Sequence, residues 1–146
     1  MKLGFITAIC EGMTFEEVID FAAENGLECL EVACWPQEKA QRRYAGVSHI
    51  DVAKLDEKKA EYIKNLCKEK GVAISSLAYY PNTMDPDIEK RRGYIEHLYK
   101  LIDASAMLDV NMITTFVGRD PAKSVSENLE IVKKLWPPIV RYAEEK

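Results

Sequence analysis

The sequence alternates four times between a short apolar segment, typical of a β-strand, and a longer segment with the apolar spacing of an amphipathic helix. The joints that lead from a helix into a strand are similar: AENGLECLEV, KEKGVAISSL and MLDVNMITTF. Strands and helices that alternate in this way form βαβ units, with a parallel sheet and right-handed crossovers. The predicted strands cover residues 2–7, 28–33, 72–78 and 110–116, and the predicted helices cover residues 14–25, 56–70, 85–108 and 124–146.

Local signals mark where two helices begin and where one should be disturbed. Thr14 with Glu17, and Ser124 with Glu127, have the spacing of capping boxes, in which a hydroxyl and a carboxylate satisfy free amides of the first turn. A Pro-Pro pair at 137–138 lies inside the last predicted helix. Because proline lacks an amide hydrogen and its ring clashes with the preceding turn, we expect a kink or an interruption there.

Polar residues in the predicted strands distinguish between parallel folds. Strands of a parallel sheet that is covered on both faces are nearly continuous apolar runs. Here, polar side chains lie in the strands or at their carboxyl ends: Thr7, Glu31, Ser75, Ser76, Thr114 and Thr115. Such positions suit the interior and mouth of a (β/α)8 barrel. The first turn, TAICEGMTF, lacks the glycine pattern of a nucleotide-binding fold.

The chain length fits half of such a barrel. A complete barrel needs roughly 250 residues, whereas these 146 residues supply four βα units. The predicted fold is therefore α/β, a parallel (βα)4 half of a TIM barrel, with residues 1–146 as a single domain.

Composition narrows the expected partners and compartment. The net charge of -4 gives no basic stripe of the kind that nucleic-acid binding requires. No apolar run is long enough for a membrane-spanning helix, and the start, MKLGFITAIC, does not resemble a signal peptide. Four cysteines without a CxxC pair indicate reduced, buried thiols rather than a zinc site. We therefore expect a cytoplasmic protein without nucleic-acid or membrane partners.

An ordered series of segments resembles one known family. In chain order, the segments are GFITAI, FEEVIDFAAENGLECLEVACWP, RRYAGVSHID, ISSLAYYPN, TTFVGRD and LWPPIVRYAEEK. They are similar to the sugar phosphate isomerase/epimerase family, the xylose-isomerase-like TIM barrels. The resemblance covers the whole chain and corresponds to the N-terminal half of a family member.

This resemblance implies a metal-dependent enzyme that acts on a small sugar or sugar phosphate. Family members bind a divalent cation, often Mn²⁺, Mg²⁺, Co²⁺ or Zn²⁺, and move a proton between neighbouring sugar carbons through an enediolate. Their metal ligands come from strands five to eight. The resemblance therefore places no metal ligand and no catalytic base in this chain, and it implies a C-terminal half as a partner. Members that cleave at DNA lesions carry histidines after strands three and four, where this chain has Tyr79-Tyr80 and Thr115-Phe116.

The first candidate substrate-binding residues follow the second strand. Glu31 should face the barrel interior, where it either lines the site or forms a structural ion pair, because a buried charge needs a partner or a ligand. Trp35 can stack on the apolar face of a sugar. His49 can donate to a sugar hydroxyl, although a structural role in its loop is the alternative. That loop, residues 36–52, is long enough to suggest function and also carries Arg42, Arg43 and Tyr44.

The remaining candidates follow strands three and four: Tyr79, Tyr80, Asn82, Thr115 and Arg119. The tyrosines can line a pocket, since the ring packs while the hydroxyl reaches inward, but packing alone is an alternative. Arg119 can meet an anionic group, although an ion pair with Asp120 is the simpler interpretation. His97 lies in mid-helix and is predicted to be a surface or interhelix residue.

Two functions remain open at this point. The first is the N-terminal half of a metal-dependent sugar isomerase or epimerase, which supplies scaffold and part of the substrate pocket. The second is a non-catalytic half-barrel that self-associates as a binding or structural homodimer, because a four-stranded unit exposes two sheet edges and an inner face. A flavodoxin-like module is a weaker alternative, because no fifth strand is predicted.

Overall fold

Four parallel strands form one sheet in chain order, and a helix follows each strand along the chain. The computed structural model describes residues 1–37 and 44–146. Within these ranges, the strands are β1 (Gly4–Ile6), β2 (Cys29–Ala33), β3 (Ala73–Tyr79) and β4 (Ile113–Thr115), and the helices are α1 (Phe15–Glu24), α2 (Glu57–Lys70), α3 (Ile88–Met107) and α4 (Val125–Glu144). The sheet order β1-β2-β3-β4, with every pair parallel, confirms the predicted (βα)4 architecture.

The first and last strands are shorter than predicted. Thr7 lies outside β1, because its carbonyl oxygen accepts a hydrogen bond from the Cys10 amide at 2.9 Å and so begins a 3₁₀ turn. Before β4, the amide of Val110 donates to the carbonyl of Ser105 at 2.9 Å, and Asp109 takes a φ of 56°. These residues close the carboxyl end of α3 and do not join the sheet.

Both predicted capping boxes are present. The Thr14 hydroxyl accepts from the Glu17 amide at 3.2 Å, and the Glu17 carboxylate accepts from the Thr14 amide at 2.7 Å. Ser124 and Glu127 make the same reciprocal pair at the start of α4. The local sequence therefore fixes where α1 and α4 begin.

The sequence predicts a kink or an interruption at the Pro-Pro pair, and the interruption is wrong, because α4 continues through Pro137 and Pro138 as one helix. The prolines leave the carbonyls of Lys133 and Lys134 without their usual amide partners. Both lysines are exposed, so water can satisfy those carbonyls. The next residue, Ile139, is buried in the hydrophobic core and anchors this part of the helix there.

The hydrophobic core lies between the helices and one face of the sheet. Side chains from that face and from the first three helices form its centre: Val18, Ile19, Leu30, Val32, Ile63, Leu77, Leu98 and Leu101. The opposite, inner face carries the polar strand residues. Among the residues that the structure describes, no helix is both long and apolar enough to cross a membrane.

An irregularity between β2 and β3 decides which residues meet on the inner face. Leu30 pairs with Ile74, but the next residue, Glu31, pairs with Ser76, so that Ser75 is an extra residue in β3. The Ser75 hydroxyl donates to the carbonyl of Leu30 at 3.0 Å and thereby stabilises the bulge. The shift brings Ser76 beside Glu31.

Candidate functional site

The Glu31 carboxylate is the centre of a polar cluster on the inner face. The Tyr80 hydroxyl donates a short hydrogen bond to Oε1 of Glu31, and the Ser76 hydroxyl donates to Oε2 at 3.3 Å. No lysine or arginine in residues 1–37 and 44–146 forms an ion pair with Glu31. The negative charge is therefore stabilised by hydroxyl donors from the neighbouring strand. Glu31 and Ser76 lie in the middle of β2 and β3, and Tyr80 directly follows β3. The cluster therefore extends from the inner face to the carboxyl end of the sheet, the end at which barrel enzymes bind substrates.

Tyr80 connects this carboxylate to the loop after β4. Its ring lies 4.7 Å, between centroids, from the ring of Phe116, which is 60% exposed. Burial and the hydrogen bond to Glu31 raise the pKa of Tyr80 above its ordinary value. Tyr80 therefore stays a neutral donor at physiological pH, and Phe116 adds an apolar surface beside the charge.

Tyr79 and Thr115, two predicted site residues, do not belong to this cluster. Tyr79 is buried against the ring of His97 on α3, with 4.6 Å between centroids, and therefore lies on the helix side of the sheet. Thr115 pairs in register with Tyr79 and shares its face. Because successive strand residues alternate between faces, Tyr80 and Thr114 lie on the inner face. The alternation of faces, counted from Glu31 across the bulge, distinguishes Tyr80 and Thr114 on the inner face from Tyr79 and Thr115 on the helix side.

Trp35 belongs to the same packed group as Tyr79. Its half-buried ring meets the Tyr79 ring edge-on, with centroids 4.9 Å apart. The backbone amide of Trp35 donates to the carbonyl of Val47 at 3.4 Å, which joins the chain after β2 to a later part of the same loop. Sugar stacking by Trp35 stays a prediction.

His49 lies in a second polar region, between the starts of α1 and α2. Its Nε2 atom is 3.3 Å from the carbonyl oxygen of Cys10, and its amide donates to the carbonyl of Ala33 at 2.9 Å. Burial lowers the pKa of His49, although the contact with Cys10 opposes this effect. The ring lines a cavity of about 200 Å³ together with Glu16, Lys59 and other residues of both helices. Arg42 and Arg43 lie outside the described residues.

The side chain of Asn82 contacts the backbone of Arg119 instead of the Glu31 cluster. Its amide nitrogen donates to the Arg119 carbonyl at 2.9 Å, and its oxygen accepts from the Arg119 amide at 2.9 Å. The Arg119 side chain is exposed. Asp120 pairs with Lys123, so the predicted ion pair between Asp120 and Arg119 is wrong.

The prediction for His97 is wrong, because this residue is only 8% exposed and packs between α3 and the sheet. Its Nε2 atom lies 2.7 Å from the carbonyl oxygen of Cys34. A helical signal could have identified it, since His97, Leu101, Ala104 and Leu108 follow the spacing of the buried face.

The described residues do not fit a divalent metal. No three His, Cys, Asp or Glu side chains in ranges 1–37 and 44–146 are grouped as a metal site requires. In the part of the chain that the structure describes, the polar cluster on the inner face contains one carboxylate, that of Glu31, and its hydrogen-bond partners are hydroxyls that donate to it. A cation with tetrahedral or octahedral coordination needs at least four ligands, and the described residues of the cluster do not provide them.

Solved structures with the same fold are about twice as long as this chain. A D-psicose 3-epimerase with D-tagatose from Clostridium cellulolyticum H10 superposes with a TM-score of 0.68 and 17% identity, over 99% of this chain and 49% of the epimerase. A putative xylose isomerase from Rhodospirillum rubrum gives 0.69 and 18%, over 99% and 51%. A probable 3-DHS dehydratase from Bacillus anthracis gives 0.67 and 18%, over 97% and 49%. At these identities the similarity establishes the fold alone.

The sequence itself matches a family model. No curated protein sequence matches the chain. The model of the xylose isomerase-like TIM barrel matches residues 19–146, which is most of the chain and includes β2, β3, β4 and the Glu31 cluster. The chain therefore belongs to the xylose isomerase-like TIM barrel family, of whose solved members it spans about half the length.

Proposed function

We propose that this chain is the N-terminal half-barrel of a metal-dependent sugar isomerase or epimerase and forms the floor of its sugar pocket. The observation that carries the proposal is the Glu31 carboxylate, held by Tyr80 and Ser76 on the inner face of the sheet. Sugar epimerases among the structural relatives support the substrate class, since two of them were solved with D-fructose and D-tagatose.

The chemistry of the cluster suits a polyhydroxylated ligand. An ionised carboxylate offers about four acceptor positions, and Tyr80 and Ser76 use two of them. The remaining positions can accept from neighbouring sugar hydroxyls, while the exposed ring of Phe116 covers a C–H face of the sugar. Arg119 would add a contact for a phosphorylated substrate, because its exposed guanidinium follows Phe116 in the same loop.

The reaction needs groups that a second half-barrel would supply. Moving a proton between carbons next to a carbonyl requires a positioned base and an electrophile at the developing enediolate oxygens. We assign neither to Glu31, whose oxygens already accept from two hydroxyls. In this proposal, the divalent metal and its carboxylate ligands belong to the other half, and this half binds and orients the sugar.

The surface that would receive the second half lies at β4 and α4. Within the described residues, β4 pairs only with β3, so its other edge is open. Apolar side chains continue from this edge onto α4 and are exposed: Met112, Val117, Val125, Leu129 and Val140. Tyr142, which contacts Tyr99 of α3, lies on the opposite flank of α4 from Leu129 and Val140. We propose the C-terminal half-barrel as the occupant, because the relatives continue for a further half-length.

A titration of the labelled chain with D-fructose and with D-tagatose tests the pocket. We expect NMR signals of the Tyr80 and Phe116 rings to shift, while those of Phe21 on α1 and Tyr99 on α3 stay unchanged. Ethylene glycol at the same hydroxyl concentration serves as the control solute. Equal shifts at all four rings, or none with either sugar, would contradict the proposed pocket.

Glu31→Gln is the matched variant for this titration. It keeps the size of the side chain but removes the charge, so we expect the affinity for sugar to fall by roughly tenfold. Glu28→Gln is the control, because Glu28 is exposed and lies three residues earlier, directly before β2. This variant should bind like the unmodified chain.

The mass of the chain in solution distinguishes the two possible occupants of the open edge. Size-exclusion chromatography with light scattering should give a monomer or a heterogeneous aggregate if the edge belongs to a C-terminal half. A stable dimer of the chain would favour the alternative function, a half-barrel that closes on a second copy of itself.

A further inference from the structure

Asn82 joins two loops at the mouth of the half-barrel. Its side-chain amide donates to the carbonyl of Arg119 at 2.9 Å, and its oxygen accepts from the amides of Arg119 at 2.9 Å and Met84 at 3.2 Å. In the first two bonds, the Asn82 side chain pairs with both the N–H and the C=O of Arg119, as the backbone of a neighbouring strand would. This pairing lies beyond the ends of β3 and β4. Three of the positions available to this side chain for hydrogen bonds are thus occupied by protein.

Gly118 is required for this contact. Its φ is +77°, a conformation that glycine adopts without the strain that a Cβ would cause. A Cβ at this position would lie 1.9 Å from Oδ1 of Asn82 and 2.9 Å from its Cα. The backbone of the β4–α4 loop can therefore approach Asn82 only because residue 118 has no side chain.

Thr83 forms a second connection beside the first. Its hydroxyl donates to the carbonyl of Val117 at 2.7 Å and accepts from the indole N–H of Trp136 at 3.2 Å. Thr83 is fully buried, and Trp136 lies on α4. The loop after β3 is thus fixed both to the loop after β4 and to the helix that follows it.

We infer that Asn82 is a positioning residue of the candidate sugar site: it fixes the β4–α4 loop so that Phe116 stays against Tyr80. The path is short, because Arg119 lies three residues after Phe116, and the Phe116 ring is 4.7 Å from the Tyr80 ring. Tyr80 in turn holds the Glu31 carboxylate. The direct substrate contact that the sequence predicted for Asn82 stays a prediction, and the link between the positioning role and sugar binding rests on the proposed function.

Hydrogen exchange of the Arg119 amide tests the contact without any ligand. In Asn82→Ala we expect this amide to exchange at least about tenfold faster, because three hydrogen bonds are lost. Asn82→Asp keeps the acceptor and loses the donor, so its effect should be intermediate. Thr14→Ala is the control, because it removes the capping box of α1 and lowers the global stability without touching the Asn82 contact. In this variant, the Arg119 amide should exchange faster only to the extent that global unfolding becomes more frequent. Unchanged exchange in Asn82→Ala would overturn the inference.

A second substitution tests the pairing of Asn82 with Gly118. Gly118→Ala should accelerate Arg119 exchange in the unmodified chain, because the new Cβ displaces the Asn82 side chain. In the Asn82→Ala background, the same substitution should add less, because the contact with Oδ1 is gone, while the approach to the Cα of residue 82 and the strain at positive φ remain. Fully additive effects would show that the two residues do not act together and would overturn the inference.

Ring signals separate positioning from a purely structural contact. If Asn82 positions the site, the NMR signals of Phe116 and Tyr80 move in Asn82→Ala and stay in place in Thr14→Ala. Faster Arg119 exchange with unmoved rings would overturn the positioning role. The sugar titration is read separately: failure of the unmodified chain to bind D-fructose or D-tagatose contradicts the proposed function, while the exchange and ring data still decide the role of Asn82.

Discussion

The Nε2 atom of His97 lies 2.7 Å from the carbonyl oxygen of Cys34, although the two residues are 63 positions apart in the chain. A carbonyl oxygen only accepts, so Nε2 carries the hydrogen and donates it. The bond joins the middle of α3 to the carboxyl end of β2, and the His97 ring also packs against Tyr79. This contact fixes the middle of α3 beside the carboxyl end of β2, close to the candidate site.

Replacing His97 by alanine should destabilise the fold by about 1–3 kcal/mol, because a buried carbonyl loses its donor and the ring contact is removed. Urea unfolding measures the change. Glu96→Ala, at the exposed neighbouring position on the same helix, is the control and should cost less than about 0.5 kcal/mol. Equal effects of the two variants would contradict a stabilising role for the His97 bond.

Tyr80→Phe tests the hydroxyl that holds Glu31. We expect a loss of roughly 1–2 kcal/mol, since a bond to a charged acceptor is removed at a half-buried position. The folded-state pKa of Tyr80 is raised above the ordinary value of 10.0, so the protonated phenol is favoured by folding. The stability difference between the two proteins should therefore be complete below pH 10 and disappear as the pH rises through the raised pKa. A difference that persists at high pH would be inconsistent with this assignment.

The order of the strands and helices was predictable from the sequence, but which residues of β3 and β4 point to the inner face was not. Apolar spacing and two capping boxes identified all four βα units, because these signals are local. The bulge at Ser75 reverses the alternation after β3 begins, and nothing in the tetrad ISSL distinguishes the extra serine. The predicted inward orientation of Glu31 agrees with the structure, whereas the sequence did not show that Tyr80 shares this face and that Tyr79 and Thr115 lie on the helix side. Substrate contact by any of these residues stays a prediction.

Contacts between distant loops were also beyond sequence reasoning. Asn82 has the chemistry of a sugar ligand, and only the meeting of two loops 37 residues apart shows that its amide is occupied by the Arg119 backbone. At the Pro-Pro pair, the local sequence predicts that a helix is disturbed, and packing with the rest of the protein outweighs this local preference. Packing of the neighbouring Ile139 and Trp136 keeps α4 continuous despite two missing amides.

His49 should make the fold sensitive to mild acid. Burial is the main cause that lowers its pKa below the ordinary 6.5, so folding favours the neutral ring. The contribution is complete above pH 6.5 and is lost as the pH falls through the lowered folded-state pKa. We expect the melting temperature of the unmodified chain to fall more steeply than that of His49→Asn between pH 7 and pH 5. Parallel curves for the two proteins would exclude His49 as the source.

Asn128 closes the turn that leads from the candidate site into α4, and its removal should be costly. Its side-chain oxygen accepts from the Asp120 amide at 2.8 Å, and its nitrogen donates to the carbonyls of Asp120 at 3.1 Å, Lys123 at 3.2 Å and Ser124 at 2.9 Å. The side chain is 9% exposed, so water cannot easily replace these bonds. Asn128→Ala should therefore lower stability by about 2–3 kcal/mol.

The matched control for this turn is Ser126→Ala, two residues earlier on the exposed side of α4. It should change the free energy of unfolding by less than about 0.5 kcal/mol. Asn128→Asp adds a sharper comparison, because it loses the bonds that the Asn128 nitrogen donates and places a second negative charge beside Asp120. The hydrogen bond from Lys123 lowers the pKa of Asp120. This variant should be less stable at pH 7 than at pH 4, relative to the unmodified chain, since protonation of the new carboxylate restores a donor and removes the repulsion. If its relative stability did not improve toward pH 4, the turn would not depend on the donors of Asn128.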